Sequence, residues 1–148
     1  MSGDPSETVP LRASELSVGQ HLGAPIVDNL TRTRIVQYAG ASGDYNPIHT
    51  DERFATEAAG YPSVFAHGML TMGLTGSALT DLVGVDRLTE YGARFVAQVW
   101  PGDTLTGDFE ITAKRRIDGH DVIDLAITVT NQDGRKVLTG SATARVDP

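Results

Sequence analysis

The sequence predicts a single α+β domain in which helical segments come first and a long antiparallel sheet follows and curls around one apolar helix. Three observations carry this. Between Thr31 and Val83 apolar residues recur at helical spacing, between capping residues and glycines; from Tyr91 to Val146 they alternate with polar ones; and the pairs Asp118-Gly119 and Asp133-Gly134 interrupt the alternating runs. Helices segregated from an antiparallel sheet define the class.

The length of 148 residues suits one core. Residues 1–10, with Gly3, Pro5 and Pro10 and little to bury, are expected to be a flexible tail, leaving one domain over residues 11–148. Gln20 to Leu30, broken by Gly23 and Pro25, reads as an irregular edge strand, because proline lacks a ladder donor. Thr31 is placed to cap a helix from Arg32 to about Ala41, ended by Gly40 and Gly43. Asp44-Tyr45-Asn46-Pro47 is turn chemistry, and Asp51 caps a short helix to about Ala59. From His67 to Val83 apolar residues populate almost every side of a helix, which must therefore be enclosed.

Alternation then takes over. Tyr91 to Val99 forms one strand, and Pro101-Gly102-Asp103 turns the chain into a second carrying Leu105, Phe109 and Ile111; the two are expected to pair. Ile123 to Val129 and Lys136 to Val146 complete a four-stranded meander. A sheet of this size leaves one helix face and one sheet edge uncovered, which favours association of two units.

Composition excludes several functions. With 19 acidic against 12 basic side chains and a net charge of -7, the molecular field repels nucleic acid and anionic membrane, and the one basic cluster, Lys114-Arg115-Arg116, is short. No cysteine is present, so disulfides and thiolate sites are excluded. The uncharged run Ala58 to Thr80 contains Pro62, His67 and glycines and reads as buried rather than membrane-spanning. Met1 to Pro10 lacks the charged and apolar regions of a signal peptide, so a cytoplasmic location is expected.

The segment from Tyr38 to Asp51 holds the chemistry. Asp44 and His49 lie five residues apart across a proline-containing loop, a spacing that can aim a carboxylate and an imidazole at one water for acid–base catalysis. The same pattern also fits an Asx-turn at Asp44 with His49 as a packed histidine, and residue types alone leave both open. Ala66-His67-Gly68-Met69 opens the apolar helix, where free N–H groups and the helix dipole favour a developing oxyanion; Gly68 either lets a thioester carbonyl approach its N–H or merely permits tight helix entry. Asp44, His49, Asp51 and His67 carry metal-capable atoms without a known ligand spacing, so no metal is expected. No nucleophile elbow or phosphate-binding glycine fingerprint appears.

These residues, together with Pro101-Gly102-Asp103-Thr104-Leu105, resemble the MaoC-like (R)-specific enoyl thioester hydratases of the hot-dog fold, over most of the chain from about Leu16 to Val146. Tyr38-Ala39-Gly40, the run from His67 to Gly73 and Thr89 to Phe95 are similar to the catalytic B subunits of mycobacterial (3R)-hydroxyacyl-ACP dehydratases. The resemblance implies that the apolar helix is the central helix wrapped by the curled sheet. It also implies that Asp44 and His49 form a catalytic dyad, that the Gly68 N–H polarises the thioester carbonyl, and that Asn46, Ala66 and His67 are substrate-binding residues. Reversible hydration of trans-2-enoyl thioesters to (R)-3-hydroxyacyl thioesters follows as the expected activity, with no cofactor, an acyl-CoA or acyl-ACP substrate, and a homodimer or a heterodimer with a related subunit. An acyl thioesterase on the same fold and a partner-dependent subunit are the competing expectations. Because CoA and the ACP arm are anionic, Arg34, Arg53, Arg94 and the Lys114-Arg115-Arg116 cluster are candidates for carrier contact. Room for the acyl chain is expected beside Ala58, Ala59 and Gly60.

Overall fold

Five antiparallel strands form one sheet in the order β1-β3-β4-β5-β2, curled around one long helix. The computed structural model describes residues 11–148; the expected tail lies outside them. The elements are β1 (His21–Val27), α1 (Arg32–Ser42), a short π-helical turn (Phe54–Ala58), α2 (Gly68–Val83), β2 (Leu88–Phe95), β3 (Leu105–Ile117), β4 (His120–Thr130) and β5 (Lys136–Val146).

Local chemistry sets the boundaries. Thr31 Oγ1 accepts the Arg34 N–H at 3.2 Å to start α1, and Gly43, at φ +76°, ends it by donating to the Ala39 carbonyl at 3.0 Å. Asp51 Oδ1 accepts the Phe54 N–H at 3.1 Å, so the expected cap is made, but the turn it starts is π-helical rather than α-helical. Asp118 and Gly119, at φ +50° and +79°, make the tight reversal that joins β3 to β4. β1 lies at one edge, where Pro25 costs no second ladder.

Two expectations are corrected. β2 does not pair with β3; it pairs with β5 at the opposite edge, and the meander is β3-β4-β5. The reason lies in the connection: the chain leaves the ladder at Phe95, and its Pro101-Gly102-Asp103 turn docks on Leu30, the Gly102 N–H donating to the Leu30 carbonyl at 2.7 Å and the Leu30 N–H to the Asp103 carbonyl at 2.8 Å. Nor is α2 wholly enclosed. It packs on β1, β2 and β5 and buries Leu70, Leu79 and Val83, yet Met69 is 55% exposed and Gly73 and Ser77 lie open along the same stripe.

The core is continuous between helix and sheet: Leu79 belongs to one buried cluster with Phe109, Ile111, Ile123, Leu125 and Leu138, all essentially fully buried. Each such side chain contributes about 1.5–3 kcal/mol on leaving water. Thr75, fully buried on α2, satisfies its hydroxyl by donating to the Thr71 carbonyl at 2.9 Å. No helix of the described residues is long and apolar enough to cross a membrane.

Candidate active site

The loop after α1 is a succession of side-chain turns. Ser42 Oγ accepts the Asp44 N–H at 3.1 Å, Asp44 Oδ1 the Asn46 N–H at 3.2 Å, and Asn46 Oδ1 the Ile48 N–H at 3.2 Å. Each short polar residue thus bonds the backbone two positions on, which is why the loop is rich in Ser, Asp and Asn. The Asx-turn and the converging pair, open alternatives in the sequence, are both present. Asp44 remains exposed, while His49 is buried at 7%. Asn46 lies within the loop architecture.

Two imidazoles meet beside this carboxylate. His49 donates through Nδ1 to the Phe65 carbonyl at 2.6 Å, so its Nε2 carries the lone pair. His67, 2% exposed, donates through Nε2 to the Asp44 carbonyl at 3.0 Å. The rings stack with centroids 3.9 Å apart and planes at 27°. Phe65 meets His49 edge-on at 5.2 Å, and Tyr38 meets His67 edge-on at 4.8 Å. Burial holds the His49 pKa below the ordinary histidine value, and the nearby His67 ring adds to that; the Phe65 carbonyl and Asp44 oppose it. His49 is therefore neutral near pH 7, with a lone pair available on Nε2.

One ligand-capable atom from each of Asp44, His49 and His67 lies within 4.8 Å of the others. With centroids 3.9 Å apart and planes only 27° apart, one ion at bonding distance cannot lie in both ring planes, a poor match to a tetrahedral site. The group suits proton chemistry better.

Gly68 opens α2. The Leu70 and Thr71 N–H groups turn to the His67 carbonyl at 3.1 and 3.3 Å, and the Gly68 N–H has no acceptor among the described residues. A Cβ at Gly68 would stand 2.7 Å from two atoms of the Phe95 ring, so any larger residue there must displace that ring. Gly68, Ala66, Phe65, Phe95, Val99 and Val137 border a cavity of about 310 Å³. Phe65 is the partition: it contributes to the cavity wall, and its carbonyl holds His49. Ala66 is fixed by its N–H to the Val99 carbonyl at 2.8 Å, which explains why Val99 leaves the sheet. Ala58, Ala59 and Gly60 do not border the cavity, because the π-turn carries Ala59 and Gly60 into the exposed surface. Phe65 and Phe95 had no distinguishing signal in the sequence beyond the place of Phe95 in the Tyr91-Ala93-Phe95 alternation, and that residue ends β2 half-exposed beside Gly68.

The candidate cations are largely engaged. Lys114 Nζ donates to the Ala13 and Leu16 carbonyls at 2.6 and 2.7 Å, Arg115 pairs with Asp124 at 2.6 Å, and Arg116 reaches Asp121 at 3.5 Å. The basic cluster is thus committed to the β3–β4 hairpin and the N-terminal segment. Arg53 pairs with Glu57, whereas Arg34 and Arg94 form no ion pair among the described residues.

Comparison with known proteins places this architecture. Residues 14–133 match the family model of the MaoC-like domain. The chain is 44% identical over 68 residues to 3-hydroxyacyl-thioester dehydratase Y of Mycobacterium tuberculosis, a match covering 44% of this chain and 23% of that protein. It is 28% identical over 143 residues to the (R)-specific enoyl-CoA hydratase of Aeromonas caviae, covering 92% of this chain and 99% of that one. The unliganded R-hydratase PhaJ1 of Pseudomonas aeruginosa superposes with a TM-score of 0.76 at 28% identity, over 90% of this chain and 84% of its own. The chain thus spans about a quarter of the dehydratase but nearly the whole of the Aeromonas hydratase. With the family model matched over most of its length and a hot-dog sheet wrapped around α2, the chain belongs to the MaoC-like domain family.

Proposed function

We propose that this chain is a hydro-lyase that reversibly hydrates trans-2-enoyl thioesters to (R)-3-hydroxyacyl thioesters, with Asp44 and His49 acting on one water. The observation that carries the reading is the state of His49: buried, with a lowered pKa, its Nδ1 proton held by the Phe65 carbonyl and its Nε2 lone pair turned to chemistry beside an exposed carboxylate. In hydration the dyad takes a proton from water as the oxygen bonds to C3; the C2–C3 π electrons move toward the thioester oxygen, and a proton returned to C2 completes the addition. Dehydration reverses each step. The pair is treated as one coupled proton carrier. The Gly68 N–H and the positive end of α2 receive the charge that develops on the thioester oxygen, a contribution commonly worth about 2.7–4 kcal/mol per donor. Neither oxidation nor metal is required, so no cofactor is invoked.

The cavity beside Gly68 takes part of the acyl thioester, carried by CoA or ACP, while Asn46, Ala66 and His67 shape the surrounding site. Residues 11–148 constitute one hot-dog hydratase domain behind a tail of residues 1–10, acting in the cytoplasm. The working unit is a homodimer or a heterodimer with a related hot-dog subunit. Support comes from the β2 edge, where Phe95 and Val96 are 48% and 47% exposed, and from Met69 at 55%.

The test is incubation of the purified chain with crotonyl-CoA, following the enoyl double bond and free thiol together. Loss of the double bond without thiol is expected. Thiol release would replace hydration by thioesterase activity, and no reaction with either crotonyl-CoA or crotonyl-ACP would contradict the reading for the chain by itself.

A further inference from the structure

His67 is a buried titratable side chain beside the dyad that water addition does not use. Its neighbours are unusual in combination: Nε2 donates to the main-chain carbonyl of Asp44 at 3.0 Å, one face lies on the His49 ring at 3.9 Å, and Tyr38 meets it edge-on at 4.8 Å. It also immediately precedes Gly68, so one side chain touches both members of the dyad from the start of α2.

Asp44 shows why this matters. Its N–H donates to Ser42 and its Oδ1 accepts from Asn46, both two residues away, so these bonds shape the loop without fixing it to the fold. Among the described residues only the bond between Asp44 and His67 crosses the structure, spanning 23 residues. The other ring nitrogen, Nδ1, is buried and has no partner among the described residues. An unpaired buried acceptor is a cost that an apolar side chain would avoid. The ring's value therefore lies in its Nε2–H bond and its flat face.

We propose that His67 is a positioning residue for the dyad: it clamps the main chain at Asp44 and backs the ring of His49, and it neither exchanges a proton with substrate nor binds it. The kinetic consequence rests on the hydration reading, whereas the clamp is independent of the reaction. Two substitutions separate its parts. In His67→Gln the amide nitrogen replaces Nε2 and keeps the bond to Asp44 without the aromatic face; His67→Phe keeps the face and loses the donor. Each is expected to lower kcat about tenfold or more, since small misplacement of reacting groups is that costly, with KM within about threefold of wild type and the acid limb of the kcat profile retained. Tyr38→Leu, which loosens His67 from its far side, gives the same pattern more weakly and serves if neither variant folds.

A raised KM at unchanged kcat would overturn the proposal in favour of substrate binding. Loss of the acid limb would overturn it in favour of proton transfer, and a lowered Tm with wild-type kcat would reduce His67 to a structural residue. The second readout needs no substrate: solvent exchange of the His49 Nδ1 proton, measured by NMR, is expected to quicken about tenfold in both variants as the ring loosens. Unchanged exchange in both folded variants would refute the clamp. If wild type fails to hydrate enoyl thioesters, the hydration reading falls, and this exchange measurement still decides the clamp.

Discussion

Two polar clusters in this molecule, each with buried members, are built to opposite standards. Around Asp103, 5% exposed, everything is paired: Oδ2 accepts the Trp100 N–H at 2.9 Å, Oδ1 accepts from Gln132 Nε2 at 3.0 Å, and Gln132 Oε1 accepts the Thr104 N–H at 3.1 Å. Around Asp44, His49 and His67 the opposite holds among the described residues: His49 Nε2, His67 Nδ1 and the Gly68 N–H have no protein partner. A buried polar network that is fully satisfied has no bonding capacity left and holds loops together. One left partly unsatisfied keeps that capacity for water and substrate.

Substitutions should therefore split by cluster. Asp44→Asn and His49→Gln are each expected to lower turnover about 10²-fold or more while leaving the thermal midpoint nearly unchanged; turnover assays paired with thermal melts check this, and normal turnover in a folded variant would break the contrast from the catalytic side. Asp103→Ala reverses the pattern. It takes the acceptor from the Trp100 N–H and from Gln132 Nε2, both in part-buried bonds, costing about 1–2 kcal/mol in urea unfolding, with turnover per folded molecule at the wild-type level. A catalytic defect without lost stability would break the contrast from the structural side.

Gly68→Ala sharpens the boundary between the two. The new Cβ meets the Phe95 ring, which is half-exposed and can shift, so the fold persists. Its kcat/KM is expected to fall about tenfold as carbonyl access to the N–H narrows.

A pH series adds a smaller effect with a definite sign. Because folding lowers the His49 pKa below 6.5, the unfolded chain binds more protons in this range; the stability linked to neutral His49 is present above pH 6.5 and lost as pH falls through the folded value. The acid limb of kcat/KM should likewise fall below pH 6.5, and His49→Gln should remove this component of the stability profile. Smallest of all, Arg115→Ala breaks an exposed pair with Asp124 and should change stability by less than about 1 kcal/mol with turnover unaffected. Loss of activity there would return the basic cluster to carrier contact.

The elements were legible where local chemistry acts alone: Thr31 as a cap, Asp118-Gly119 as a reversal, α2 as an apolar helix. The partner of β2 was not, because Leu88–Phe95 alternates equally well beside β3 or β5, and the choice is made by Gly102 and Asp103 bonding Leu30 across the chain. At the site, spacing brought Asp44 and His49 into view, and the Asx-turn residues announced the loop. The stacking of His67 on His49 and the partition formed by Phe65 depend on residues 16–23 positions away, which no local pattern encodes. Lys114 likewise read as a carrier cation until its 2.6 Å bond to the Ala13 carbonyl showed it holding the N-terminal segment.

The central claim, that the incompletely paired cluster adds water to an enoyl thioester, is tested most directly by running crotonyl-CoA hydration in heavy-oxygen water and locating the label in the product. The account predicts one heavy oxygen at C3 of an (R)-3-hydroxybutyryl thioester with the thioester intact. Label in a released carboxylate, or at an (S) centre, would contradict it.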